Sequence, residues 1–390
     1  MSELCPSDQC TSCMACFNAC PFGAINISET SLSAKVPSVD TDKCRNCGLC
    51  EKSCPIINKR ELRYPRSAVA LYTKDPVDVC TCASGGAATV FSRNIILEGG
   101  VVYGATAVGG YPKFIRIDEL SGLDKLKGSK YVYCDPQKIY CAVKSDLKSR
   151  RKCLFVGTPC DVAGLLNYLG KKYDELYTID LICHGTPPFE YLLQHLKNKG
   201  LDISNIGNIT FRGNIDFHTV AYDKKGKIVY KCNQYEDEYF TAFMKGVMFR
   251  PVCYECQFAC SERVSDITIG DFWGAPNAIL NGYNGKISVA LLNTEKGLKI
   301  FDDVKADVNW EYRDVNEVIV GNCQLREPSA WNKNAAEFYY AYKKSHSVSV
   351  AFKNSGIADT IRKNKVRRYL LAIPKLIRNL ISNICKYQLQ

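Results

Sequence analysis

Two stretches of this 390-residue chain gather sulfur at a spacing suited to an inorganic cofactor. Residues 10–21 read CTSCMACFNACP and residues 44–55 read CRNCGLCEKSCP, so eight of the 22 cysteines fall in two copies of C-x2-C-x2-C-x3-C-P. Two x2 steps let a tight loop wrap three thiolates around one face of a cubane. The fourth cysteine of each run, followed by a chain-turning proline, then reaches the other cluster. Two complete 4Fe-4S sites follow: Cys10, Cys13, Cys16 and Cys54 for one, and Cys44, Cys47, Cys50 and Cys20 for the other. Zinc is the competing reading, but zinc pairs need no third cysteine two residues on. Ala15, Ala19 and Gly48 are small enough to leave backbone N–H groups free to approach the sulfurs, while Cys5 fits neither site.

Residues 1–60 therefore resemble a bacterial-type dicluster ferredoxin, with AINI and AKVPSVD as short strands between the cysteine runs. The start, MSELCPSDQC, lacks a basic segment followed by an apolar run, which predicts no signal peptide and a cytoplasmic chain whose thiols serve metal rather than disulfides. No run reaches the about eighteen apolar residues that a spanning helix needs. The formal charge of +11 is concentrated in residues 360–390, which hold eight Lys or Arg and no acid. The remainder is nearly balanced and has no basic stripe interleaved with aromatics, so nucleic acid is not an expected partner.

From Arg66 onward, apolar β-rich runs alternate with helical stretches, the pattern of a larger α/β domain. The segment SGGAATVF puts two glycines before a helix, either a phosphate cradle or simply a cap and turn. No G-x-G-x-x-G follows a strand, which argues against a Rossmann dinucleotide site. GTPC (157–160) and ICHG (182–185) each place a cysteine at the end of a strand-like run, and CYEC (253–256) supplies two more. Together they are four ligands, enough for a third cubane if the fold assembles them.

In order, SGGAATVF, LKGSKYV, LFVGTPCDVAGLLNYL, DLICHGTPP, FRPVCYECQF and RVSDITIGDFWGA resemble the beta-subunit family of coenzyme F420 hydrogenases and dehydrogenases, over about residues 66–320. The resemblance implies an FAD-dependent iron-sulfur oxidoreductase whose large domain holds flavin and one 4Fe-4S cluster. Its cluster cysteines correspond to Cys160, Cys183, Cys253 and Cys256, and its flavin segments to Ser84, Gly85, Gly86, Thr89, Ser129, Lys130 and Tyr131. Asp161 stands where the family has Gln; a charge there would disfavour cluster reduction unless it is hydrogen-bonded or protonated. Cys260 is a less suitable ligand, because C-x2-C-x3-C lacks the second x2 step. His184 is either a proton donor to substrate or a loop-bonding residue. Asp271, Phe272 and Trp273 are read as a core corner in preference to a pocket wall, and His195 and His218 receive no role.

The expected organisation is a ferredoxin domain at 1–60, an FAD and 4Fe-4S α/β domain at 61–350 and a basic tail at 351–390. Val366, Leu370, Ile373, Ile377, Leu380, Ile381 and Ile384 recur at helical spacing, with Arg367, Arg368, Lys375 and Arg378 off the stripe and Pro374 as a break. Such a tail suits peripheral contact with an anionic cytoplasmic membrane face, a partner helix or the protein body. The function expected is electron passage between ferredoxin-type clusters and FAD, with hydride transfer to or from a small organic substrate and a ferredoxin or reductase as redox partner. The alternative is a non-catalytic relay subunit of a larger redox complex.

Overall fold

A computed structural model describes residues 4–212 and 217–372. In the N-terminal module, β1 (Ile25–Glu29) and β2 (Lys35–Val39) form an antiparallel hairpin, Ile25 opposite Val39. The two cysteine runs adopt the same local design. Helices Ala15–Ala19 and Leu49–Ser53 carry the third cysteine of each run, and the fourth, Cys20 or Cys54, is the C-terminal cap. The residues on either side of the second cysteine are all left-handed: Ser12 and Met14 in one run (φ 54° and 59°), Asn46 and Gly48 in the other (φ 49° and 71°). Such turns aim successive N–H groups into one concavity, the backbone counterpart of the cysteine spacing.

The large domain is built on an eight-stranded sheet. Its strands in chain order are β3 (Ser67–Thr73), β4 (Val101–Thr106), β5 (Lys113–Ile117), β6 (Cys153–Gly157) and β7 (Leu176–Leu181). After a separate three-stranded sheet of β8 (Ile206–Arg212), β9 (Phe217–Asp223) and β10 (Ile228–Asn233), the main sheet resumes with β11 (Ile267–Asp271), β12 (Ser288–Leu292) and β13 (Val308–Arg313). Its spatial order is β13-β3-β12-β11-β7-β6-β4-β5. The central strands β4, β6, β7 and β11 run parallel, while β12, β3, β13 and β5 pair antiparallel at the flanks. The sheet is thus mixed. Parallel neighbours end on the same edge, so the loops after β6, β7 and β11 converge there.

Strand alternation sends Val102 and Leu154 to one face, under helices Ala87–Leu97 and Glu295–Val304. Val101, Tyr103, Cys153 and Phe155 face the other side, packed with helices Ile139–Lys148 and Pro159–Leu169 and with Cys13 and Ala15 of the N-terminal module. That module is tightly docked. Asn18 donates to Gln137 O (2.7 Å) and accepts from the Cys141 N–H, Tyr133 donates to Ser12 O (2.8 Å), and Lys35 pairs with Asp135 at 2.7 Å. In helix Pro159–Leu169, Gly164 permits the approach: a Cβ there would lie 2.8 Å from Cys13 Sγ.

The final described helix, Ile357–Ala372, rests on the body through buried Ile357 and Ile361, an Asn364 bond to Tyr235 O and an Arg368–Glu236 ion pair. Val366 and Leu370 face solvent, and the remaining stripe residues from Ile373 onward lie outside the described residues. No helix among the described residues is long and apolar enough to cross a membrane.

Candidate functional site

Cys10, Cys13, Cys16 and Cys54 line one small cavity beneath the first cysteine loop. The Ser12 N–H points at Cys10 Sγ (3.4 Å), and backbone N–H groups of Ala15, Phe17 and Ile56 point at Cys13, Cys16 and Cys54. Donors aimed at every sulfur suit thiolates bound to metal. Burial pushes the free Cys13 thiol up to about 12, a cost that bound iron offsets by supplying positive charge. Cys5, expected to be a bystander, lines the same cavity. Its thiol lies within bonding reach of Cys10 and Cys54 and lowers both. The sequence gives no hint of this because Cys5 lies outside the repeated spacing. In the second ligand set Cys44 and Cys20 are half-buried, Cys50 is buried and Cys47 is exposed, and the Ala24 N–H donates to Cys20 Sγ (3.3 Å). This set faces outward, whereas the first faces the large domain.

The large-domain cysteines converge from three loops. β6 delivers Thr158 and Cys160, β7 delivers Cys183, and the 3-10 turn Pro251–Glu255 delivers Cys253, with Cys256 at its end. Cys183 lies within electrostatic reach of Cys253 and Cys256, and Cys160 within reach of Cys256. Donors again accompany two of the sulfurs, the Gly185 N–H at Cys183 and the Phe258 and Ala259 N–H groups at Cys256, while Thr158 Oγ1 lies 3.0 Å from Cys160. Their donor chemistry suits a cubane, although as placed no three such side chains among the described residues are gathered closely enough to hold a single metal ion. Cys260 turns away, its thiol directed at the carbonyls of Gln257 and Glu262.

Asp161 has a specific local job. It is the third residue of helix Pro159–Leu169 and completes a capping box, accepting from Thr158 Oγ1 (2.7 Å) and Thr158 N (3.2 Å). Burial raises its carboxyl to about 6, partly countered by those bonds. The hydrogen-bonding condition for sparing a neighbouring cluster is therefore met, whereas a carboxyl at about 6 stays mostly ionised at neutral pH.

Beside the converging cysteines opens a cavity of about 810 Å³, within the range of sites that enclose a large organic ligand. Ser84, Gly86, Thr89, Ser129, Lys130 and Tyr131 line it, as do Cys183 and His184. Gly86 is the left-handed N-cap of helix Ala87–Leu97, has no side-chain cap partner and opens the helix N-terminus to the cavity. Gly85 is not on the wall. A Cβ there would meet Leu71 O at 2.3 Å and Ser288 N at 2.5 Å, so this glycine lets the loop lie against the sheet. Lys130 bonds to Leu126 O and Lys127 O, and burial lowers it to about 8. Burial also lowers His184, whose carbonyl accepts from Ser329 Oγ (2.6 Å).

Three cavity features escaped sequence reasoning. Arg212 pairs with Asp271 at 2.7 Å on the wall. Asn322 is 1% exposed, and its Oδ1 has no hydrogen-bond partner among the described residues, an orphaned acceptor at a site sized for a ligand. The core-corner reading of 271–273 holds only for Phe272: Trp273 is 45% exposed and, with Asp271, borders the cavity. Strand alternation after β11 sends Phe272 into the core and the next residue out. His195 is a buried structural residue bonded to Asp237 (3.2 Å).

Residues 150–318 match the family model for the C terminus of the coenzyme F420 hydrogenase/dehydrogenase beta subunit, and residues 9–56 match the 4Fe-4S dicluster domain. An uncharacterized protein of Methanocaldococcus jannaschii, MJ1349, is 25% identical over 240 residues. That match takes in 51% of this chain and 66% of the relative, just under two thirds of its length. The F420-reducing NiFe hydrogenase complex of Methanosarcina barkeri contains a chain that is 17% identical with a TM-score of 0.45, over 78% of this chain and 92% of that one.

Proposed function

From the premise that the chain is related to the coenzyme F420 hydrogenase/dehydrogenase beta-subunit family and is headed by a 4Fe-4S dicluster domain, we propose that it is an iron-sulfur flavoprotein oxidoreductase acting on a small organic substrate. The observation that carries this reading is adjacency: Cys183 belongs to the converging cysteines and also lines the 810 Å³ cavity. A relay subunit would have no need of a large ligand cavity at that point. When bound there, FAD supplies the exchange between one-electron and two-electron chemistry.

The chain's own residues then have distinct tasks. Cys160, Cys183, Cys253 and Cys256 hold the cluster nearest the cavity. The N-terminus of helix Ala87–Leu97, with Ser84 and Gly86, suits a phosphate, and Asn322 Oδ1 offers an acceptor to a ring N–H or ribose hydroxyl. His184, on the wall beside Cys183, is placed to pass a proton to or from the substrate. The outward-facing Cys44, Cys47, Cys50 and Cys20 set suits exchange with a soluble redox protein. Anaerobic purification followed by iron, sulfide and flavin analysis tests the proposal. About twelve irons, four per site, and one FAD per chain are expected; irons without flavin would favour the relay.

A further inference from the structure

Arg250 is a buried cation at the junction of the two cysteine-rich regions. It is 4% exposed, and no carboxylate among the described residues forms an ion pair with it. Its nitrogens are nonetheless fully directed. Nη1 donates to Thr11 O (2.6 Å), Nε and Nη2 donate to Thr186 Oγ1 (3.1 and 2.8 Å), and the guanidinium lies 4.8 Å from the centre of the Tyr133 ring. Tyr133 in turn donates to Ser12 O and takes the Pro187 carbonyl on its N–H.

The sequence positions of these partners give the arrangement its meaning. Thr11 and Ser12 lie between Cys10 and Cys13; Thr186 follows Cys183 by three residues; Arg250 precedes Cys253 by three. One side chain therefore ties the inner loop of the N-terminal module to two loops of the large-domain site. Asp161, the acid in its neighbourhood, accepts from Thr158 and reaches Arg250 only through space, as a partial counter-charge without an ion pair. A buried cation needs a counter-charge, and neutral acceptors alone do not supply one. The groups around Arg250 that become anionic when metal binds are thiols: Cys253 and Cys160 on one side, Cys10 on the other.

We propose that Arg250 is the shared counter-charge of the two inner cluster sites, Cys10/Cys13/Cys16/Cys54 and Cys160/Cys183/Cys253/Cys256, and the positioning residue that fixes one against the other. The proposal rests on the reading of both sets as cluster ligands. Four thiolates leave each site net anionic, and each electron gained adds a further negative charge. A desolvated guanidinium between them favours the reduced state of both and draws electrons inward from the outer Cys44/Cys47/Cys50/Cys20 site, which it does not touch. Guanidinium suits the task because its planar fork reaches two loops at once while staying charged.

The test is an EPR-monitored redox titration of the full chain, anaerobically loaded, in wild type, Arg250→Met and Arg250→Lys, after iron has been counted in each. Arg250→Met is expected to retain iron and to weaken the reduction equilibrium of both inner sites at least tenfold, about 59 mV for a one-electron couple. The outer site should move less than twofold. Arg250→Lys keeps the charge and should remain within about threefold of wild type. Equal potentials in wild type and Arg250→Met at equal iron content would overturn the proposal, as would a Lys variant shifted as far as the Met variant. If Arg250→Met fails to hold iron, the Lys variant decides: a tenfold shift overturns the proposal and a shift within threefold supports it. A wild-type chain with iron only for the N-terminal sites would instead refute the underlying cluster reading, a result separable from these by the iron count alone.

Discussion

Cys10, Cys13 and Cys16 come from seven consecutive residues, whereas Cys160, Cys183, Cys253 and Cys256 come from three loops spread over 97 residues. In the N-terminal module the left-handed residues around Cys13 and Cys47 shape each cysteine loop locally, and little chain must be closed to gather three sulfurs. In the large domain no single turn gathers more than two. The loops meet because β6 and β7 are parallel neighbours, with Gly157 opposite Asp180, and because Pro251–Glu255 is anchored through Arg250 to Thr186. One set is written in the loop and the other in the sheet, so they should fail under different perturbations.

The largest effect should come from removing a ligand of the dispersed set. Cys256→Ala in the full chain is expected to cost about four of about twelve irons, since three thiolates seldom hold a complete cubane, and to leave the N-terminal sites loaded. Iron and sulfide analysis of the purified variant checks this. Loss of all irons would show that the sites are interdependent, and loss of none that Cys256 is not a ligand.

An intermediate effect should come from the seam between the regions. Gly164→Leu drives a side chain against Cys13 Sγ, which even a Cβ there would approach to 2.8 Å, and should weaken docking of residues 4–60 by about 1–3 kcal/mol, the usual range for overpacking a filled core. Helix propensity would return only about 1 kcal/mol. Faster limited proteolysis near residue 60, with the dispersed site still loaded, is the expected signature. Unchanged protection would mean that the module is held by its polar contacts alone.

The contrast between the two sets also explains what could be read in the sequence. Repetition of C-x2-C-x2-C-x3-C-P made the dicluster domain legible, and the expected exchange of fourth cysteines agrees with Cys54 lying beside Cys10, Cys13 and Cys16. Strand-like runs before Cys160 and Cys183 allowed their adjacency to be anticipated, because parallel neighbours share an edge. What remained hidden depends on side-chain direction and long-range approach. Cys5 has no spacing partner, and Arg250 lies in a recognised motif as one basic residue among many. Asn322 reaches the cavity from a distant turn. Trp273 looked like core by residue type, yet it is the residue beyond Phe272 that alternation turns outward. Gly85 belonged to a correctly noticed glycine pair, but its role is to let backbone approach backbone.

The smallest effect is expected far from either set. Arg368→Ala removes a half-exposed ion pair with Glu236 on the last described helix and should lower stability by less than about 1 kcal/mol, with iron content unchanged. Thermal unfolding of the loaded protein would detect a larger change, which would give that helix more weight in the fold than its contacts suggest.

We propose that the dispersed set connects the N-terminal clusters to a flavin in the cavity. This connection is tested most directly by mixing anaerobic full-chain protein with a reduced one-electron protein donor and following flavin bleaching in wild type and Cys256→Ala, both reconstituted with FAD. Rapid bleaching is predicted in wild type and a rate at least about 100-fold lower in the variant, while a small two-electron donor still reduces the flavin in both. Equal bleaching by the one-electron donor, in a variant shown to have lost its third cluster, would contradict it.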